Sequence, residues 1–329
     1  MPAVVGDRYG SAEVLELRTA PTPTPGAGEV LVRVRAAGVS RGVWHLMKGH
    51  PLVVRLGFGL RSPKRPIPGL ELSGTVVEVG EAVTRFSPGD EVFGMGLSTY
   101  AAYAVAPEAK LARRPEGLTP VEAAAMSDSA STALQAVRDH AGVVAGQRVL
   151  ILGGSGGVGT FAVQIAKALG AEVTATASTA KVDLVRSLGA DEVIDHRTTD
   201  ATDLVTGAAP YDAIIDIGGN TPLRRLRRAL APEGTLVIVG GEQSDGKILA
   251  GFGRNIWATL RSLATRQTLK MFIAEEDHAY LEDLAALVAA GDVRPSVDRT
   301  YPLADAAQAL DRLEAGEARG KLVIAVDAD

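Results

Sequence analysis

Between an apolar run ending at Leu152 and the stretch beyond it, the chain reads Gly153-Gly154-Ser155-Gly156-Gly157-Val158-Gly159. Glycines at 154, 156 and 159 have the spacing that holds a dinucleotide pyrophosphate. One turns the chain, one lets backbone approach the phosphates, and one lets helix pack on strand. Ser155, Gly157 and Val158 complete the candidate loop. The flanks suit that use: Arg148 to Leu152 reads as a strand, while Val158, Phe161, Ala162, Ile165, Ala166 and Leu169 fall at helical spacing.

An Asp or Glu about 20 residues further on would read the 2'-hydroxyl of the adenosine ribose. The second strand, Glu172 to Ala177, ends instead in Ser178, Thr179, Ala180 and Lys181, and His196 and Arg197 follow the third strand at the same edge. Hydroxyl donors and a cation suit a 2'-phosphate, so the expected cofactor is NADP(H). In the competing reading Lys181 is an ordinary lysine at a helix start and the site is indifferent.

Two further groups of residues can move protons or hydrogen-bond a reacting atom. His45 can donate a proton near neutral pH, or simply pack within a short helix. Ser127-Asp128-Ser129-Ala130-Ser131-Thr132 sets one carboxyl among hydroxyls. Asp128 can pair with Ser40 or His45, or act as an acid if partial burial raises its pKa. Alternatively the cluster caps the helix that follows.

The elements that must position these residues have two textures. The first third alternates apolar and polar residues, as in Val30, Val32, Val34 and Val76, Val77, Val79, between turn-rich stretches such as Pro21 to Gly26 and Ser87 to Asp90. It reads as a small antiparallel β domain. From about Thr119, Ala-rich helical stretches alternate with the strands Arg148 to Leu152, Glu172 to Ala177, Glu192 to Ile194, Ala213 to Ile217 and Thr235 to Val239, the pattern of a doubly wound parallel sheet. An apolar run at Leu269 to Ile273, a helix from about Ala279 to Ala290, and strands at Ser296 to Tyr301 and Lys321 to Val326 then return the chain to the first domain.

Composition narrows the chemistry. With 329 residues the chain is long enough for two domains and for burial of about three quarters of its surface. It has no cysteine, which removes disulfides, thiolate metal sites and a cysteine nucleophile. A net charge of -5 with 4% aromatic residues favours a small-molecule ligand over nucleic acid. The basic run Arg224, Arg225, Arg227, Arg228 reads as a solvated helix face. No run approaches a membrane span and Met1 to Gly10 lacks a signal-peptide pattern, so the expected location is cytoplasmic.

Several stretches together resemble the medium-chain dehydrogenase/reductase superfamily, in its zinc-independent quinone oxidoreductase-like branch. They are Gly28 to Val34, Ala36-Ala37-Gly38-Val39, Pro68 to Gly74, Pro88 to Gly94, the glycine loop, Leu188-Gly189-Ala190-Asp191 and Gly320-Lys321, in order over nearly the whole chain. The resemblance implies an α/β fold: a GroES-like β-barrel domain from residues 1–121 and 274–329, around a Rossmann domain with a doubly wound parallel sheet over 122–273. It implies an active site in the cleft between them.

Zinc-dependent members place metal ligands where this chain has Ser40, Leu70 and a position near Asp128; these do not make three ligands, so no metal is expected. The branch instead implies reduction of a quinone or an electron-poor C=C by NADPH, with hydrogen-bond donors stabilising the oxyanion. Ser40 stands where relatives often carry an Asn facing nicotinamide and substrate. Its competing role is to cap backbone.

By the same resemblance Thr132, Gly218, Gly240 and Gly241 lie near the ribose and nicotinamide. Trp44 belongs to the substrate side, and the segment Ala250 to Phe272, with Phe252, Arg254, Asn255, Trp257, Met271 and Phe272, closes one side of the pocket or forms core or subunit interface. The polar residues around Asp128 depart from the branch, which usually has small or apolar residues there. Other functional readings are reduction of a specialised biosynthetic intermediate and a non-catalytic NADPH-binding regulatory or RNA-binding protein. Leu269 to Ile273 as an edge strand suggests a homodimer.

Overall fold

The computed structural model describes residues 1–202, 209–219, 221–239 and 266–326. It divides into two units, Met1–Ser131 with Glu276–Gly291 and Pro295–Asp329, and Thr132–Glu275 with Asp292–Arg294. The expected boundaries were 121/122 and 273/274. The later first boundary has a packing reason. Helix Pro120–Ala124 packs on strands of the first unit, and Ala124 and Ala125 share a buried cluster with Ala36 and Val323. Asp292–Arg294 go to the second unit because the Gln164 amide donates to the Arg294 carbonyl (3.0 Å) and accepts its N–H (2.9 Å).

In the first unit β1 (Pro2–Val5) and β2 (Glu16–Thr19) form an antiparallel pair. A seven-stranded sheet follows from β3 (Glu29–Val39), β4 (Glu71–Val79), β5 (Glu91–Met95), β6 (Tyr103–Pro107), β7 (Leu111–Arg113), β14 (Val297–Pro302) and β15 (Lys321–Ala325). Strand β3 organises it. The strand pairs with β4 along one edge, and with β6 and then β15 along the other, with register shifts where it bends. Its alternation turns Val30, Val32 and Val34 into a core shared with Leu72, Val92, Tyr100 and Ile324. Helices α1 (Arg41–Lys48) and α2 (Val54–Phe58) fill the connection from β3 to β4.

The second unit holds a six-stranded parallel sheet of β8 (Arg148–Leu152), β9 (Glu172–Ala177), β10 (Glu192–Asp195), β11 (Tyr211–Asp216), β12 (Leu230–Ile238) and β13 (Thr268–Met271). Its order is β10-β9-β8-β11-β12-β13, so the winding reverses between β8 and β11, which is where such sheets bind ligands at their carboxyl ends. Helix α5 (Gly157–Ala168) follows β8 and buries Phe161, Ala162 and Ile165. Among the described residues β13 is an edge strand, with Ile273 beyond it exposed. The arginine run lies on α7 (Leu223–Ala229), where Arg225 pairs with Asp200 and Arg227 donates to Gln267.

Candidate active site

The glycine loop starts from the switch point of the second unit. Gly153 has φ +92 and donates its N–H to the Thr176 hydroxyl (3.0 Å), while the Gly154 N–H bonds the Thr176 carbonyl (2.9 Å), stitching the loop to the end of β9. Gly156, at φ -83 and ψ 175, is the cap residue of α5, and the first intrahelical bond runs from Thr160 N–H to its carbonyl. No side chain caps this end. The N–H groups of Gly157, Val158 and Gly159 therefore stand at a positive helix end, the arrangement that binds an anion.

Three glycines of the loop answer to different neighbours. A Cβ on Gly159 would sit 2.1 Å from the Gly153 carbonyl, so the close packing of helix on loop excludes one. On Gly154 it would press on Ala175 and Val185 at 3.0 and 3.2 Å. On Gly156 it would meet only the Gly153 carbonyl, at 3.6 Å. The open space over Gly156, beside the helix N-terminus, fits a pyrophosphate. Gly218, after β11, lies against Gly153, whose Cβ would meet the Gly218 N at 3.3 Å. Ser155 is buried beside them, and Thr132 is half-buried at the start of the unit. Gly240, Gly241, Phe252, Arg254, Asn255 and Trp257 lie outside the described residues.

At the end of β9, Ser178 precedes the turn Thr179–Lys181, and the Lys181 N–H closes on the Ser178 carbonyl (2.8 Å). His196 is brought alongside, its N–H donating to the Ala177 carbonyl (3.0 Å). The Thr179 hydroxyl, expected to face a phosphate, donates to Asp195 at 2.5 Å. That bond, with the Arg197 N–H, holds the Asp195 carboxyl below its usual pKa. Sequence reading missed Asp195 because it sought an acid only at the end of the second strand, whereas this one ends the third.

In the first unit, Ser40 is the cap residue of α1, yet its hydroxyl makes no capping bond. The residue is 6% exposed and its Oγ has no hydrogen-bond partner among the described residues. A Cβ on Gly42 would touch both Ser40 Oγ (3.6 Å) and Leu70 Cδ1 (3.7 Å), so these two are neighbours. Asp128 lies in the first turn of α4 (Ser127–Leu134), and its N–H reaches Glu71 Oε2 at 3.4 Å. The sequence positions around Ser40, Leu70 and Asp128 thus converge about Glu71.

Glu71 was not expected to matter. It is fully buried and paired with Lys321, also buried, whose Nζ donates to both carboxylate oxygens (2.8 and 3.0 Å) and to Ser129 Oγ (3.1 Å). Burial pushes the Glu71 carboxyl up to about 7, the Lys321 charge pulls it down, and the Asp128 charge adds to the rise. Both residues stand in the stretches that carry the family resemblance. Nothing local links them across the sequence.

Helix α1 sorts the remaining residues by face. Val43, Leu46 and Met47 line a cavity, while Trp44 turns to the helix Ala306–Glu314. There its indole N–H donates to Glu314 (3.1 Å), and Lys48, one turn on, stacks over the ring at 4.8 Å and pairs with the same carboxylate. Trp44, expected at the substrate, is occupied in this contact because helical spacing carries it off the face of Val43 and Met47. His45 Nδ1 donates to the His50 carbonyl (2.6 Å), so a neutral ring leaves Nε2 unprotonated. Phe272 stacks on His140 in the second unit, with ring centroids 4.0 Å apart.

A family model for the alcohol dehydrogenase GroES-like domain matches residues 26–116, and one for zinc-binding dehydrogenases matches residues 188–324. The chain is 35% identical to the mitochondrial NAD(P)H oxidoreductase RTN4IP1 of Homo sapiens, over 99% of this chain and 89% of that protein. It is 34% identical to the trans-enoyl reductase pgmF of Aspergillus terreus, over 92% of this chain and 87% of that one. Among solved structures, the quinone oxidoreductase from Coxiella burnetii superposes with a TM-score of 0.87 at 29% identity, covering 99% of each chain.

Proposed function

The chain belongs to the medium-chain dehydrogenase/reductase superfamily, among its quinone oxidoreductases and enoyl reductases, and is an oxidoreductase of a nicotinamide cofactor; on that footing we propose that it uses NADPH, without zinc, to reduce an enone or a quinone. The observation that carries the reading is the open position over Gly156 at the start of α5, beside the carboxyl ends of β8 and β11. NADPH, when bound there, supplies hydride. In this chain the loop N–H groups at the start of α5 would hold its phosphates. Leu70 has no lone pair to offer a metal, which argues against zinc chemistry.

Reduction of an enone or quinone leaves charge on a carbonyl oxygen. Ser40 has a buried hydroxyl that neither caps α1 nor bonds another group among the described residues, and it is our candidate donor to that oxygen. His45 can release a proton from Nε2 only as imidazolium, because Nδ1–H is already bonded to a carbonyl.

The preference for NADPH rests on Ser178, Lys181 and His196, since the Thr179 proton goes to Asp195. Lys181→Ala is expected to raise the NADPH Kd about tenfold while leaving that of NADH near the parent value. Titration of both cofactors by calorimetry reads this, and an unchanged preference would refute the phosphate assignment.

For the activity itself, loss of NADPH absorbance should follow addition of an enone or a quinone but not of a simple aldehyde, with NADH as control. Tight NADPH binding with no turnover of any acceptor would replace the reductase reading with a non-catalytic NADPH-binding role.

A further inference from the structure

A cavity of about 470 Å³ lies within the first unit, inside the size range of small-molecule sites. Its walls are apolar: Val43, Leu46 and Met47 from α1, Phe58 from the end of α2, and Ile67 and Leu70 before β4. Three cations line it, Arg8, Lys64 and Arg65, all exposed, and no Asp or Glu does. Lys64 donates to the Gly57 carbonyl (3.1 Å); Arg8 and Arg65 have neither ion pair nor side-chain hydrogen bond among the described residues. An apolar recess edged by cations suits a ligand with an apolar body and an anionic end.

Two further features lie at the cavity's edge. The chain beyond α1 carries exposed Leu52, Val53, Leu56, Phe58 and Leu60, an apolar lip that a folded protein of this kind seldom leaves without use. The lip is tied to the rest of the unit where the Tyr9 hydroxyl donates to the Gly59 carbonyl (2.6 Å) and the Arg55 guanidinium lies over the Tyr9 ring at 4.5 Å. On the wall at Leu97 and Ser98, Ser98 has φ +59, alone among the described non-glycine residues in that region, and the next residue, Thr99, keeps a buried hydroxyl without a partner among the described residues.

We propose that this cavity takes the apolar chain of the acceptor and that Arg8, Lys64 and Arg65 hold an anionic group at its far end. The substrate class is then an unsaturated carbonyl compound with a terminal carboxylate or phosphate, its reducible end toward Leu70 and Ser40. This rests on the reductase reading above. A recess of this volume, walled by α1 and by Ile67 and Leu70, favours such a molecule over an anionic membrane surface, which would need only the lip.

The test separates binding from turnover. Octanoate and octyl phosphate, which cannot be reduced, are titrated into the parent and into Leu46→Trp, which fills the cavity from a half-buried wall position, with thermal melts to show that the variant folds. Saturable binding by the parent, weakened at least about tenfold in Leu46→Trp, is expected, and the tighter of the two ligands identifies the head group.

In the second arm, KM is compared for medium-chain enones with and without that terminal anion. The charged enone should have a KM lower by about tenfold, a preference that fades with added salt and in Arg8→Gln/Arg65→Gln. No saturable binding of either ligand, or binding that Leu46→Trp leaves unaltered, overturns the proposal whether or not enones are reduced. So does uptake onto phosphatidylglycerol vesicles in place of octanoate binding. Binding as expected with no reduction of any enone keeps the anion-chain site and removes the reductase reading instead.

Discussion

Gly156→Asp is expected to fold as well as the parent and to raise the NADPH Kd by at least about 100-fold. Both halves follow from the same residue. Gly156 caps α5 at φ -83 and ψ 175, a conformation open to any L residue, and a Cβ there meets only one atom, at ordinary contact distance. Asp is among the favoured cap residues, so its carboxylate bonding back to the helix start should cost nothing and can add a few tenths of a kcal/mol. The same carboxylate occupies the anion site and repels a pyrophosphate, which converts the best feature of the loop into its opposite.

Gly159→Ala provides the contrast. Its Cβ would sit 2.1 Å from the Gly153 carbonyl and 2.8 Å from Gly154 Cα, so backbone must move and Tm must fall. Calorimetric titration with NADPH, paired with melts of both variants, distinguishes a filled site from a broken loop. A Gly156→Asp protein that binds NADPH as tightly as the parent would mean that the cofactor does not lie over α5.

How far the sequence could be read depended on how local the signal was. Strands β8 and β9 run over the residues expected, because buried parallel strands read as short apolar runs between a helix and a glycine turn. β12 begins at Leu230, earlier than the expected Thr235, since Ala231-Pro232-Glu233-Gly234 looks like a turn; there the pairing of β11 with β12 shifts register, and the irregularity admits the proline. The glycine loop was legible because its demands lie within seven consecutive residues. The Glu314 partner of Trp44 was not legible because periodicity assigns a face without naming the neighbour on it. Asp195 and the Glu71–Lys321 pair depend on which strands lie side by side, and spacing along the chain carries no record of that.

The buried pair gives the largest expected effect on stability. Lys321→Met removes the cation from a carboxylate that is fully buried and that, among the described residues, otherwise accepts only the Asp128 N–H at 3.4 Å. Breaking such a pair typically costs about 3–5 kcal/mol, which for a unit of this size lowers Tm by roughly 10 °C. The loss depends on pH in a definite direction. In the parent the Glu71 carboxyl titrates at about 7, above its ordinary 4.5, because burial disfavours the charge. A raised carboxyl contributes its stability below pH 4.5, where both states are protonated, and loses it as pH climbs to about 7.

Without Lys321 the folded carboxyl rises further, so the variant should continue to lose stability above pH 7 where the parent has levelled off. At pH 5 the two should lie closer together, because the protonated acid no longer needs a counter-charge. Glu71→Gln/Lys321→Met replaces the pair by an amide and an apolar chain, and should recover most of the lost Tm with little pH dependence, since what destabilises the single variant is the stranded charge rather than the missing bond. Melts of the parent, the single and the double variant from pH 5 to pH 9 carry the test. A Lys321→Met protein as stable as the parent at pH 8 would show that water reaches Glu71 and that the pair is not what holds β4, β15 and α4 together.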